Sequence, residues 1–152
     1  MANVSLVTPK RTGASVNAYL VLMQKNQILL SLRKNTGYFD GFYGLVAGHV
    51  EDGESATAGM IREAREESGI ELTSSQLTMV HVLHRQTNRF NIDIFFKCTT
   101  WRGKIENREP EKCEKLEFFP IDQLPSHLMD YQRDVLSAIL QKSFYSEMGW
   151  VK

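Results

Sequence analysis

The sequence predicts an α+β domain, or a layered α/β/α one, built on a mixed β-sheet. Three observations predict it: strand-like apolar runs lie before and after one helical pattern, a second helical stripe closes the chain, and no repeat or linker interrupts them. The length of 152 residues suits one domain spanning 1 to 152 with a sizeable hydrophobic core.

The runs "SVNAYLVLM" (15 to 23) and "QILLSLR" (27 to 33) are rich in β-branched and apolar residues and flank a short polar turn, which predicts a hairpin or adjacent strands. From Lys34 to Gly44 the segment is too rich in glycine for a helix and too aromatic for an ordinary solvated loop, carrying Tyr38, Phe39, Phe42 and Tyr43. Ser55 is placed to cap a helix running to Ser68, Glu54 suits its positive end, and Gly69 stops it. Two antiparallel strands are expected at 77 to 85 and 90 to 101, the second alternating Phe90, Ile92, Ile94 and Phe96 with Asn91, Asp93 and Phe95. A charged loop, a short strand at 116 to 121 and a helix from 130 to 142 follow, with Val135, Leu136, Ile139 and Leu140 on one stripe.

Eighteen basic side chains balance eighteen acidic ones, so the field that would gather a nucleic acid polymer is missing. Cys98 and Cys113 are too few for a disulfide framework and read as reduced thiols. With no apolar leader and no stretch of about 20 apolar residues, the expectation is a soluble cytoplasmic protein with no membrane partner.

Within "GHVEDGESATAGMIREAREESGI" (48 to 70), a turn of ~100° per residue puts Glu66 and Glu67 within ~60° on either side of Glu63. Ala56 and Gly59 are expected to leave room above that face, and Met60, Ile61 and Ala64 to pack beside it. Like charges at these spacings repel, and Arg62 offsets only part of that. Hard carboxylate oxygens suit Mg²⁺ or Mn²⁺, ions that commonly share their coordination with a substrate's phosphates. "REAREE" by itself also fits a solvated helix face with an Arg62 to Glu66 ion pair.

The whole stretch resembles the Nudix box, the signature of hydrolases acting on nucleoside diphosphates linked to another moiety. Gly48, Glu54, Arg62, Glu63, Ala64, Glu66, Glu67, Gly69 and Ile70 stand at its fixed spacings, and the order of strands and helices also fits the Nudix fold. Where many relatives read Leu-Pro-Gly-Gly before the box, this chain reads "LVAGH". The resemblance implies metal-assisted attack of water on a phosphorus of a diphosphate linkage. It implies Glu63, Glu66 and Glu67, with the carbonyl of Ala47, as ligands of Mg²⁺ (or Mn²⁺), and Arg62 as the partner that orients them. For the general base it offers Glu63 or a glutamate of the later loop, Glu109 ahead of Glu111 and Glu114; each loop glutamate also reads as surface charge.

Arg33, at a strand end, stands where related enzymes place a cation for substrate phosphates, and equally where a solvated charge would sit. Tyr38, Phe39, Phe42 and Tyr43 could stack on a base or pack in the core. Asp130 is a candidate base-edge contact or a helix N-cap, and His49 receives no role. The markers of several family subgroups are absent between Glu71 and Glu109, which has neither proline nor tyrosine. The elimination leans towards a MutT-like enzyme acting on a damaged or non-standard nucleoside triphosphate. Nucleotide sugars, other nucleoside diphosphate derivatives and a catalytically silent binding domain remain alternatives. Members of the family often dimerise, which leaves room for a homodimer.

Overall fold

A computed structural model describes residues 10, 11 and 13–151. The chain order is β1 (Ser15–Gln24), β2 (Gln27–Arg33), β3 (Tyr43–Gly44), β4 (Val46–His49), α1 (Ala56–Ser68), β5 (Thr78–Gln86), β6 (Phe90–Cys98), β7 (Cys113–Pro120), α2 (Asp130–Leu140) and β8 (Tyr145–Met148). A single turn of 3₁₀ helix at Ser74–Gln76 leads into β5.

The strand path β3-β2-β1-β6-β5-β8 is mixed, because β1 lies parallel to β6 and β5 parallel to β8 while the other pairings are antiparallel. Strand β1 divides its partners. Its first half pairs with β4 through Asn17 to Leu20, and its last residues, Met23 and Gln24, pair with β2. Strand β7 lies along β2. The sheet therefore splits into two limbs joined at the β1–β2 turn, and the split leaves a cleft between them.

The sequence of β1 is apolar almost throughout because both of its faces are covered. Ala18, Leu20 and Leu22 pack on the α1 side with Met60, Ala64 and Ile70. Tyr19 and Val21 pack on the α2 side with Val135, Leu136, Leu83 and Phe95. This period of two produces the layered α/β/α arrangement that the sequence predicts.

Helix α1 begins where Ser55 Oγ accepts from the Ala58 amide at 3.1 Å. It ends at Gly69, whose φ of +74° is the left-handed conformation that frees glycine from a Cβ clash. The expected space above Gly59 is absent: a Cβ there would meet Glu54 Oε1 at 2.9 Å and Val50 Cγ2 at 3.3 Å. The small residue admits the incoming loop rather than a ligand.

Several boundaries differ from expectation. Strand β6 stops at Cys98 instead of 101, α2 at Leu140 instead of 142, and β7 starts at Cys113, so part of the charged loop is strand. "LVAG" supplies part of β4, paired with β1. Strand β8 is too short and too lightly patterned to be read from sequence. It is fixed by its ladder with β5 and by buried His81, whose ring nitrogens lie 2.7 Å from Ser143 O and 2.7 Å from Ser146 Oγ. In β6 the polar residues of the alternation, Asn91 and Asp93, are the buried ones. Among the described residues no helix is long and apolar enough to cross a membrane, and both cysteines are buried and free.

Replacing Gly69 with alanine places a side chain at φ +74° and a Cβ 2.7 Å from Arg108 Nε. The expected cost is about 1–2 kcal/mol, seen as a fall in melting temperature of several degrees without loss of helix in circular dichroism. An unchanged melting temperature would contradict this reading of the helix stop.

Candidate active site

The cleft forms a cavity of about 1070 Å³. One wall is the acidic face of α1, held against β4 because the apolar flank of the helix is buried in the core. Arg62, Glu63, Glu66, Glu67, Ala47, Gly48 and His49 line this wall.

Arg62 organises it. Its guanidinium donates to Glu54 at 2.6 and 3.1 Å, to Glu63 Oε1 at 2.9 Å, to Glu66 Oε2 at 3.2 Å and to the carbonyl of His49 at 2.9 Å. These contacts tie both ends of the box together, so Arg62 makes far more than the i,i+4 pair of a solvated helix face. The Arg62 hydrogen bond, with help from the Glu51 amide, lowers the Glu54 carboxyl to about 2. Glu63 moves the other way: burial pushes its pKa up, although Arg62 opposes the shift.

Glu67 is the most perturbed member. Burial pushes it well above the usual carboxylate range, and the charges of Glu63 and Glu109 push it further, against one hydrogen bond at 3.2 Å from the Ala47 amide. Gly48 is the residue that lets β4 come so close to these acids. A Cβ there would lie 2.1 to 2.6 Å from the Glu63 carboxylate.

Glu109 enters the same cavity from the loop before β7, positioned by a turn in which its carbonyl accepts from the amides of Lys112 and Cys113. Glu111 and Glu114 are exposed and lie away from it. Arg33 lines the cavity as well, while its Nε donates to Tyr38 O at 2.8 Å and its Nη2 to Thr36 Oγ1 at 3.3 Å, so part of its donor capacity holds the aromatic loop.

Of the aromatic candidates only Tyr38 reaches the cavity wall. Phe39 and Phe42 pack edge-on against each other on the exposed side of the loop, and Tyr43 is buried against Phe119 with its hydroxyl donating to Glu117. Phe39 and Phe42 lie outside the cavity lining, in a loop whose turn at Phe39 has φ +50°. Asp130 is likewise exposed and outside the cavity, and it is not the helix cap: α2 is preceded by Met129, which makes no side-chain cap bond. Its neighbours Met129, Tyr131 and Gln132 face the cavity instead.

A further part of the cavity lining went unread in the sequence. Asp93, buried completely, accepts from Arg85 Nε at 2.6 Å and from Asn17 Nδ2 at 2.8 Å. Arg85 also lies 4.2 Å from the centroid of the Tyr131 ring, and Tyr19 stacks on Phe95 at 4.4 Å. A charge and an amide in the middle of an apolar strand, Asp93 and Asn91, were the available signal, since a buried charge requires a partner.

Among the described residues no three acidic, histidine or cysteine side chains already stand at metal-ligating distance. The donor set nevertheless fits a hard divalent cation: the glutamates and the Ala47 carbonyl offer oxygen ligands, and burial penalises the charged forms of Glu63 and Glu67, a cost that a cation beside them offsets.

The NUDIX domain model matches residues 11–139, most of the chain. This chain belongs to the NUDIX domain family. An ADP-ribose pyrophosphatase from Methanocaldococcus jannaschii is 31% identical over 114 residues, covering 74% of this chain and 66% of that protein, just under two thirds of its length. An 8-oxo-dGTP diphosphatase from Proteus vulgaris is 26% identical over 94 residues, covering 62% of this chain and 83% of its own. Among solved structures, a MutT NUDIX hydrolase from Burkholderia pseudomallei superposes with a TM-score of 0.75 at 26% identity, covering 82% of this chain and 97% of that one. The NUDIX fold is thus shared, and the acidic wall coincides with the family's sequence signature.

Gly48→Ala tests the close approach of β4 to α1. The new methyl group meets the mobile end of Glu63, so the fold is expected to persist while the carboxylate is displaced. Divalent metal affinity should fall about 10–100-fold in a calorimetric Mn²⁺ titration, and unaltered affinity would contradict the assignment.

Proposed function

We propose that this protein is a divalent-metal-dependent pyrophosphohydrolase that converts a nucleoside triphosphate, damaged or non-standard, into a nucleoside monophosphate and pyrophosphate. The observation that carries the reading is the gathering of Glu63, Glu66, Glu67 and Glu109 around one cavity that also presents Arg33 and Lys112. Acids and cations on the same wall suit a polyphosphate bridged to the protein by Mg²⁺ or Mn²⁺.

Glu63, Glu66 and Glu67, with the Ala47 carbonyl, would hold the cation. When bound, it neutralises charge on phosphoryl oxygens and acidifies a water near neutral pH. Arg62 keeps Glu63 and Glu66 oriented and prevents their mutual repulsion from splaying the wall. Arg33 and Lys112 draw the phosphate chain into the cleft. A carboxylate, Glu109 or Glu63, takes a proton as water oxygen forms its bond to phosphorus, and the bridging oxygen departs with pyrophosphate.

A second reading has its own support. The archaeal relative is named as an ADP-ribose pyrophosphatase, which favours a nucleoside diphosphate derivative cleaved by the same wall. A nucleotide panel distinguishes the two by product: pyrophosphate from triphosphates for the first, two phosphomonoesters for the second. Activity is expected to require Mg²⁺ or Mn²⁺ and to fall about 100-fold or more in Glu66→Gln and Glu67→Gln. Wild-type binding without turnover of any nucleotide would overturn both.

The acid cluster also predicts a pH signature. Because the folded pKa of Glu67 lies above its ordinary value of 4.5, the folded state holds more protons than the unfolded chain in the window between the two. Metal-free stability therefore declines as pH rises through that window. Stabilisation by added Mg²⁺ should grow as pH rises above the ordinary carboxylate value, because protons cease to compete with it. Melting curves with Mg²⁺ and with chelator measure this, and a metal increment that shrinks with rising pH would contradict it.

A further inference from the structure

The part of the cavity lined by Asn17, Tyr19, Arg85, Tyr131 and Gln132 has a hydrogen-bonding surplus of one kind. Asp93, a full negative charge buried to 0% exposure, is surrounded by donors: Arg85 Nε at 2.6 Å, Asn17 Nδ2 at 2.8 Å and Arg85 Nη2 at 3.5 Å. The amide oxygen of Asn17 is occupied by Ser15 Oγ at 3.1 Å and lies 2.6 Å from His49 Nδ1. The amide oxygen of Gln132 accepts from the Leu45 amide at 2.7 Å. Each of these acceptors already has a partner within the protein.

Donors remain. Among the described residues Arg85 Nη1 has no hydrogen-bond partner, although Arg85 is only 8% exposed and lines the cavity. Since no buried side-chain nitrogen or oxygen lacks a partner, Nη1 keeps its access to the cavity. The hydroxyls of Tyr19 and Tyr131 lie 2.9 Å apart. Tyr19 accepts from Arg85 Nη2 at 3.4 Å and Tyr131 from Gln132 Nε2 at 3.1 Å. Two phenolic protons share one mutual hydrogen bond, so one proton is left to donate. Burial raises both phenol pKa values, which keeps those protons in place.

These donors do not make a phosphate site. The charge of Arg85 is cancelled by Asp93, and an approaching phosphate would face that buried carboxylate, whereas Arg33 and Lys112 elsewhere on the cavity wall carry no such partner in contact. A neutral ring with an acceptor on its edge suits the wall better. Resting on the reading of the substrate as a nucleotide, we propose that Arg85, clamped by Asp93, and the Tyr19–Tyr131 hydroxyl pair read the nucleobase and select one presenting a keto oxygen over one presenting an amino group at the same edge position. An amino group would set donor against donor at Arg85 Nη1.

Calorimetric binding of matched monophosphates tests this without requiring turnover. GMP against AMP, and UMP against CMP, change the edge from keto to amino while keeping ring size. The keto member of each pair should bind about tenfold or more tightly, the discrimination expected when arginine reads a base edge. Arg85→Lys keeps a cation for Asp93 but removes the second guanidinium nitrogen, and Tyr131→Phe removes one phenolic proton. In each the ratio should move towards one, mainly through weaker binding of the keto nucleotide. Equal binding by the wild type, a preference for amino bases, or a ratio unchanged in both variants would overturn the proposal; if one variant does not fold, the wild-type ratio and the other variant decide. Keto-selective binding with no turnover of any nucleotide would instead overturn the proposed hydrolysis and leave this inference standing. Turnover of triphosphates with no keto preference would overturn this inference alone.

Discussion

Electrostatic repulsion among the carboxylates of one cavity wall is the constraint around which the structure is organised. Glu63, Glu66 and Glu67 lie within little more than one turn of α1, and Glu109 is brought to them from a distant loop. One guanidinium, that of Arg62, binds Glu54, Glu63 and Glu66 and the His49 carbonyl together. It stabilises the outer acids but does not reach Glu67, which stays pushed up by burial and by its neighbours' charge. A wall that is compensated at its rim and uncompensated at its base favours a small cation of high charge density at that base.

The fold serves this arrangement through close approach. Glycine at position 48 lets β4 lie against Glu63, and the period-two packing of β1 fastens the helix-bearing layer on one side and α2 on the other. The same strand carries Asn17 and Tyr19 into the cavity lining beside the acids, where Asp93 and Arg85 form a pair with little exposure to water. Two electrostatic regimes therefore line one cavity: an acidic region, and a region rich in directed donors. A ligand with a polyanionic end and an uncharged, acceptor-bearing end matches both.

Much of this was legible in the sequence. The α1 boundaries followed from Ser55 and Gly69, because capping chemistry is local, and the acidic face followed from helical geometry alone. Glu109, among three loop glutamates, does line the cavity. The failures have a common cause. Phe39, Phe42 and Asp130 were chosen by residue type, yet they lie outside the cavity that Tyr38 lines, in a loop with a left-handed turn at Phe39 and at the start of α2. The Asn17, Arg85 and Asp93 cluster is spread over three strands, and the parallel register of β1 with β6, opposite Asn17 and Asp93, brings it together with the antiparallel pairing of β5 and β6. Strand pairing of that kind is set by tertiary packing, and its local mark was confined to the polar Asn91 and Asp93 in an apolar strand. Strand β8 was missed for the same reason, since four residues against β5 carry too little pattern of their own.

The most direct test of the central claim is the anomalous scattering of manganese in a crystal grown with Mn²⁺ and a non-hydrolysable nucleoside triphosphate analogue. The account predicts a peak bounded by Glu63, Glu66 and Glu67 and in contact with the phosphate chain. Ordered nucleotide with no anomalous peak at those carboxylates, or with the metal held elsewhere, would contradict it.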